Sequence, residues 1–460
     1  MTRGNAVGFD AVAQRESWRW TALALTSLAL AGLFALLLAL SRAPVVQDFV
    51  PWPQEFFHKA LVVHVIFAFV VWFLAVFAAF CHKAAVQAAN GPPRFNALGG
   101  LALACCAAAF LLLLIPALMD RGQPTLNNYI PVIIDPLFYA GLMVLATGLG
   151  LSVVRLYANL NAAAFRQPLV AGATAAGLLF VVAALCALSA WRNLSGRTVD
   201  HAFNEDLFWG AGHVLQFLNA VLLVTAWQLL STNSLGRPAL RPGLFAATVS
   251  MLALSGAMAP IFYFLYPAFS ADQRDAFTDL QFLLAPPTLL MGIGISAAIA
   301  AYRKTKDRLP WDNPGFLSLI LSVVVFALGG GLGLFVDGAD TRTPAHYHAV
   351  IIGIILALIG LFHRLLLPQL GRPTGAGVAI RAQIWLLACG QAVACLGLFW
   401  AGGYGAQRKL TGGLEGIAQV GGLAMNGIGG IVAVIGGAMF VWTAGRALLQ
   451  KGPEPRGQEA

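Results

Sequence analysis

Long apolar stretches follow one another along almost the whole chain, and no other feature constrains the fold as much. About twelve are long enough to cross a lipid hydrocarbon core, near residues 20–40, 58–81, 97–119, 129–153, 169–190, 206–231, 243–267, 276–301, 315–336, 345–368, 380–401 and 414–446. Inside lipid every backbone N–H and C=O must find its partner within the segment, so stretches of this kind fold as helices. The reading is an all-α polytopic membrane protein with about twelve transmembrane helices. Hydrophobic residues make up 59% of the 460 and charged residues only 10%, and a soluble domain of that composition would expose large apolar patches. The expected organisation is a cytoplasmic segment 1–19, a single transmembrane domain over 20–449 and a cytoplasmic tail 450–460. Segment 1–19, with Arg3, Arg15 and Arg19, lacks the short apolar core of a cleavable signal, so the first span is expected to stay.

The distribution of Lys and Arg sets the expected orientation. With the N-terminus inside, the inner loops collect the cluster Arg303, Lys304, Lys306 and Arg308 together with Arg155, Arg237, Arg241, Arg372 and Arg446, roughly 19 cations against 9 outside. Both termini are therefore expected in the cytoplasm, with the chain integral to a bacterial inner membrane. The net charge of +9 is a topology signal and does not indicate nucleic-acid binding.

The six cysteines, Cys81, Cys105, Cys106, Cys186, Cys389 and Cys395, fall within or at the ends of spans and form no CxxC pair, which reads as packing. Without a CxxCH there is no covalent heme attachment, and the Gly-rich runs follow no strands, so phosphate cradles and dinucleotide folds are excluded. Gly421-Gly422, Gly429-Gly430 and Gly436-Gly437 in the last span would let a helix or a flat macrocycle approach closely.

Ionisable side chains inside spans are rare and tend to be functional. His346 and His348 open the tenth span, and at about 100° per residue two positions apart point to opposite faces of one helix. One helix could thus offer imidazole, the usual protein ligand of heme iron, to two hemes. Under the orientation above, His64, His213 and the pair His346 and His348 all lie near the outer ends of their spans. Four imidazoles would share one layer. His58, His82, His201 and His363 fall at span ends or in loops, where solvated interfacial roles are expected. Asp135 is placed a few residues inside the fourth span, hydrogen-bonded to a neighbouring helix. Asp337, Asp340 and Glu205 are further acids near spans, and the sequence carries no convincing internal repeat of the kind a transporter has.

Twelve spans, a histidine in the second, Trp209-Gly-Ala-Gly-His213 in the sixth and Pro344-Ala-His346-Tyr-His348 in the tenth resemble subunit I of the heme-copper oxidase superfamily, which includes cytochrome c oxidases and nitric oxide reductases. The resemblance runs the full length. It implies His64 and His348 as axial ligands of a low-spin heme and His346 as proximal ligand of a second, high-spin heme. Leu398-Phe-Trp-Ala401 followed by Arg408-Lys409 is similar to the family's eleventh span and the basic pair that binds heme propionates. The implied cofactors are two hemes, b type in the first instance.

The chain also departs from the family. A copper or non-heme iron would take His213 and two consecutive histidines of the seventh span, but the expected place of that pair falls at or near Ile261-Phe262. One imidazole is a poor copper site. Phe217 stands where some oxidases carry a tyrosine, and no glutamate follows His213 by four residues. Two functions follow. The first is a respiratory oxidoreductase reducing O2 or NO beside His213, which would act as hydrogen-bond donor or proton carrier. The alternative is a non-catalytic diheme cytochrome for electron relay or sensing, with His213 as sixth ligand of the second heme. Electrons would arrive from a c-type cytochrome, quinol or a separate donor subunit.

Overall fold

The computed structural model describes residues 3–41, 49, 54–89, 92–306, 308–336, 338, 340–408 and 416–450. Among them, 12 helices are long and apolar enough to cross a membrane. In chain order they are α1 (Arg3–Ser41), α2 (Phe56–Ala88), α3 (Asn96–Leu118), α4 (Pro136–Tyr157), α5 (Pro168–Asn193), α6 (His201–Leu235), α7 (Pro242–Leu265), α8 (Ala271–Arg303), α9 (Pro314–Gly333), α10 (Arg342–Gln369), α11 (Val378–Gly403) and α12 (Ile417–Leu449). A short antiparallel hairpin, β1 (Gln123–Thr125) and β2 (Val132–Ile134), pairs Gln123 with Ile134 and Thr125 with Val132 between α3 and α4. The all-α reading holds. The helices group into two units, residues 1–228 with 240–293 and residues 229–239 with 294–460.

In the first unit, polar and charged side chains join four helices. Glu16 of α1 accepts from Arg155 of α4 at 2.5 Å and lies 3.0 Å from Nδ1 of His82 on α2, while Arg155 also donates to Asn96 of α3 at 3.0 Å. Gly99 leaves room for this cluster, since a Cβ there would overlap the Arg155 guanidinium. His82 is buried, with Nε2 3.1 Å from the Ala13 carbonyl, in place of the solvated role expected of it. Its partners within the bundle remove the need for water. His58 and His201 are exposed, as expected.

The fourth helix begins later than its apolar run. Residues 129–134 belong to the loop and β2, and Pro136 takes the first helical turn, where its missing N–H costs nothing. Asp135 caps that turn, accepting from the Leu137 N–H at 2.8 Å, and pairs with Arg121 at 3.0 Å. Asp135 is thus a helix cap rather than an intrahelical acid bonded to another helix.

In the second unit, α11 and α12 pack through glycine. Gly422, Gly429 and Gly436, seven residues apart, each lie against the α11 backbone, at Ala401, Ala394 and Leu387 respectively. Their sequence neighbours Gly430 and Gly437 have open space where a Cβ would go. Only one glycine of each of these pairs is needed for close approach. His363 is also buried, with Nδ1 2.7 Å from the Thr374 hydroxyl and Nε2 2.6 Å from the Gln383 amide, so it too is not the solvated residue expected. All six cysteines lie in helices and are free thiols.

Candidate heme-ligating histidines

The first unit carries His64 and His213; the second carries His346, His348 and Arg408. On α2, Nδ1 of His64 is 2.9 Å from the Ala31 carbonyl of α1. A carbonyl only accepts, so Nδ1 holds the ring proton and Nε2 is the lone-pair nitrogen. No hydrogen bond reaches His64 Nε2 among the described residues. Two residues after His64 the helix widens into a π segment, Ile66–Val71. Ser27 of α1 donates to the Phe67 carbonyl there at 2.8 Å, a second tie between the two helices beside the histidine.

On α10, Nδ1 of His346 lies 2.7 Å from the Gly329 carbonyl of α9. The ring rests against Gly333, where any Cβ would overlap it. His348 turns its Nδ1 onto its own helix, 2.7 Å from the Pro344 carbonyl, and stacks on Tyr347 at 4.7 Å between ring centroids. Arg408 is brought to the same end of the unit. Thr341 N–H donates to the Ala406 carbonyl at 2.9 Å, Asp340 bridges to Gln407, and Arg408 follows directly. Lys409 lies outside the described residues, as do Asp337 and Glu415.

His213 has a different second contact. Its Nδ1 is 2.7 Å from the Trp209 carbonyl, as His348 is to Pro344, but its Nε2 is 3.0 Å from the Tyr129 hydroxyl. Rings of Tyr129, Trp209 and Phe277 surround it at centroid distances of 4.6, 4.8 and 5.7 Å. Phe262 packs edge-on against Phe277 at 5.1 Å, and Ile261 is half exposed. No group of three His, Cys, Asp or Glu side chains able to hold a metal occurs among the described residues. The residues at His213 do not fit a copper, which takes three or more nitrogen or sulfur ligands. The imidazoles of His64, His346 and His348 fit heme iron.

Sequence reading misses Tyr129, because it sits at the head of an apolar run assigned to the fourth span. The available signal is Asn127-Asn128 before it and Asp135-Pro136 after it, both turn and cap residues. Desolvation, and then the charge of Glu205, push the Tyr129 phenol above its ordinary pKa, so it is a neutral donor.

Twelve helices long and apolar enough to cross a membrane, among the described residues, define an integral membrane protein of the all-α class. The family profile of cytochrome c and quinol oxidase polypeptide I matches residues 17–439, and the chain belongs to that family, the subunit I group of the heme-copper oxidase superfamily. Membership makes it a membrane oxidoreductase of respiratory type, and the family implies hemes. An uncharacterised protein of Aquifex aeolicus is 29% identical over 74% of this chain and 82% of its own length. Another from Rickettsia prowazekii is 24% identical over 93% and 95%. Cytochrome c oxidase subunit 1 of Thermus thermophilus is 24% identical over 62% of this chain and 55% of its own. A heme-copper terminal oxidase dimer solved by cryo-electron microscopy shares the fold, with a TM-score of 0.77 at 15% identity over 96% of this chain and 85% of that one.

Proposed function

We propose that this chain is the heme-carrying subunit of a respiratory oxidoreductase that passes electrons from a low-spin heme, ligated by His64 and His348, to a second heme on His346 and on to O2 or NO. One observation carries the reading. In all three histidines Nδ1 faces a backbone carbonyl, at 2.9, 2.7 and 2.7 Å, which fixes the tautomer that ligates through Nε2. Such a hydrogen bond orients a ligating imidazole and raises its basicity.

Hemes of b type, when bound, supply the one-electron and gas chemistry. The chain's own residues supply the rest. Carbonyls of Ala31, Gly329 and Pro344 hold the three rings, and Arg408 with Lys409 offers cations suited to propionate carboxylates. His213 contributes a polar group inside the bundle. A c-type cytochrome, quinol or separate subunit donates the electrons, and both termini face the cytoplasm of a bacterial inner membrane, as the Lys and Arg bias supports.

Heme per chain, measured by pyridine hemochrome on wild type and on His64→Ala, His346→Ala and His213→Ala, tests the assignment. Two hemes are expected in wild type and in His213→Ala, with one lost from each of the other variants. Full heme content in all of the variants contradicts it.

A further inference from the structure

In the resemblance that names this family, the sixth-span histidine serves a second metal. Here its metal-binding nitrogen is already engaged. Nδ1 of His213 faces the Trp209 carbonyl at 2.7 Å and must carry the ring proton, so Nε2 of the neutral ring is the acceptor. The Tyr129 hydroxyl stands 3.0 Å from it. A phenol proton and a metal ion compete for that one lone pair.

The turn that delivers Tyr129 is held by several contacts at once. Tyr129 has φ of 64°, in the left-handed region that an aromatic residue rarely adopts. Its neighbours hold it there. Glu205 of α6 accepts from the Asn128 backbone N–H at 2.7 Å and from Asn128 Nδ2 at 2.6 Å. Asn127 Nδ2 donates to the Ile130 carbonyl at 2.5 Å, and the Ile130 N–H to the Asn128 carbonyl at 2.8 Å. On the helix side Gly212 makes the space, because a Cβ there would overlap the Tyr129 ring.

We propose that Tyr129 is a positioning residue that caps Nε2 of His213 and keeps this imidazole metal-free. The inference rests on the heme-oxidoreductase reading only in taking His213 as the family's sixth-span ligand. The loop between α3 and α4 thereby replaces a metal by a hydrogen bond, and the seventh span can carry Ile261 and Phe262 without loss to this site.

Two measurements on the full chain test it. Element analysis of protein grown with added copper and zinc is expected to give the same content of metal other than heme iron in wild type and His213→Ala. One equivalent of copper, zinc or non-heme iron in wild type that His213→Ala loses overturns the proposal. Nitrogen-isotope NMR of histidine-labelled protein, with His213 assigned from its variant, reads the hydrogen bond. Tyr129→Phe keeps the ring and its packing, and is expected to move the Nε2 signal of His213 toward that of an acceptor without a donor while the other histidines stay. An unmoved signal, or a wild-type shift typical of a metal-bound nitrogen, overturns the proposal. Both readouts are independent of heme content, so a protein without heme defeats the proposed function and leaves this inference standing.

Discussion

Gly333 lies so close beneath the imidazole of His346 that a Cβ at that position would sit 2.6 Å from Nδ1. The glycine and the Gly329 carbonyl together fix the plane of the ring. Gly333→Ala is therefore expected to displace the imidazole and to lower the content of the heme assigned to His346, leaving the heme assigned to His64 and His348 in place. Reduced spectra recorded per chain check this, and an unchanged spectrum would show that the ring tolerates the methyl group.

The glycine stripe of α12 makes a paired prediction. Gly429→Leu places a side chain against the backbone at Ala394 and Gly390, whereas Gly430→Leu enters open space. Overpacking costs typically about 1–3 kcal/mol and more where backbone must separate. Thermal unfolding in detergent should fall clearly for the first variant and hardly for the second.

Arg155 is 3% exposed and holds Glu16 at 2.5 Å. Arg155→Met leaves that carboxylate with His82, 3.0 Å away, but without the guanidinium, and breaking a buried pair costs at most about 3–5 kcal/mol. A marked loss of thermal stability is expected, with partial recovery in the double variant carrying Glu16→Gln.

At the head of α4, Asp135→Ala removes a cap worth about 1 kcal/mol, while Asp135→Asn keeps an acceptor for the Leu137 N–H. The half-exposed Arg121 partner adds little in either case. Unfolding midpoints of the two variants should separate in that order.

These residues also mark how far the sequence can be read. Apolar length gives the twelve helices, because lipid leaves the backbone no alternative, and the paired glycines of α12 announce a close approach. The start of α4 is not legible from hydropathy. Residues 129–134 are as apolar as a span, and only the cap at Asp135 and Pro136 separates them from it. That boundary hides Tyr129, since a residue placed inside a span is not sought as a partner of His213. His82 and His363 fail for a related reason. Their depth along the chain indicates an interface, but burial depends on Glu16, Gln383 and Thr374, residues distant in sequence that come together only in the fold.

The proposed function requires two hemes in this chain, one of them with a position open to gas. The most direct test is the dithionite-reduced spectrum of the purified protein with and without carbon monoxide, normalised to heme per chain. Two hemes per chain, with about half of the absorbance responding to carbon monoxide, is the predicted result, because an iron held by His346 alone keeps one coordination position free. Two hemes with no response would mean that both irons are six-coordinate and the chain relays electrons without reducing a gas, and an absence of heme would contradict both functions.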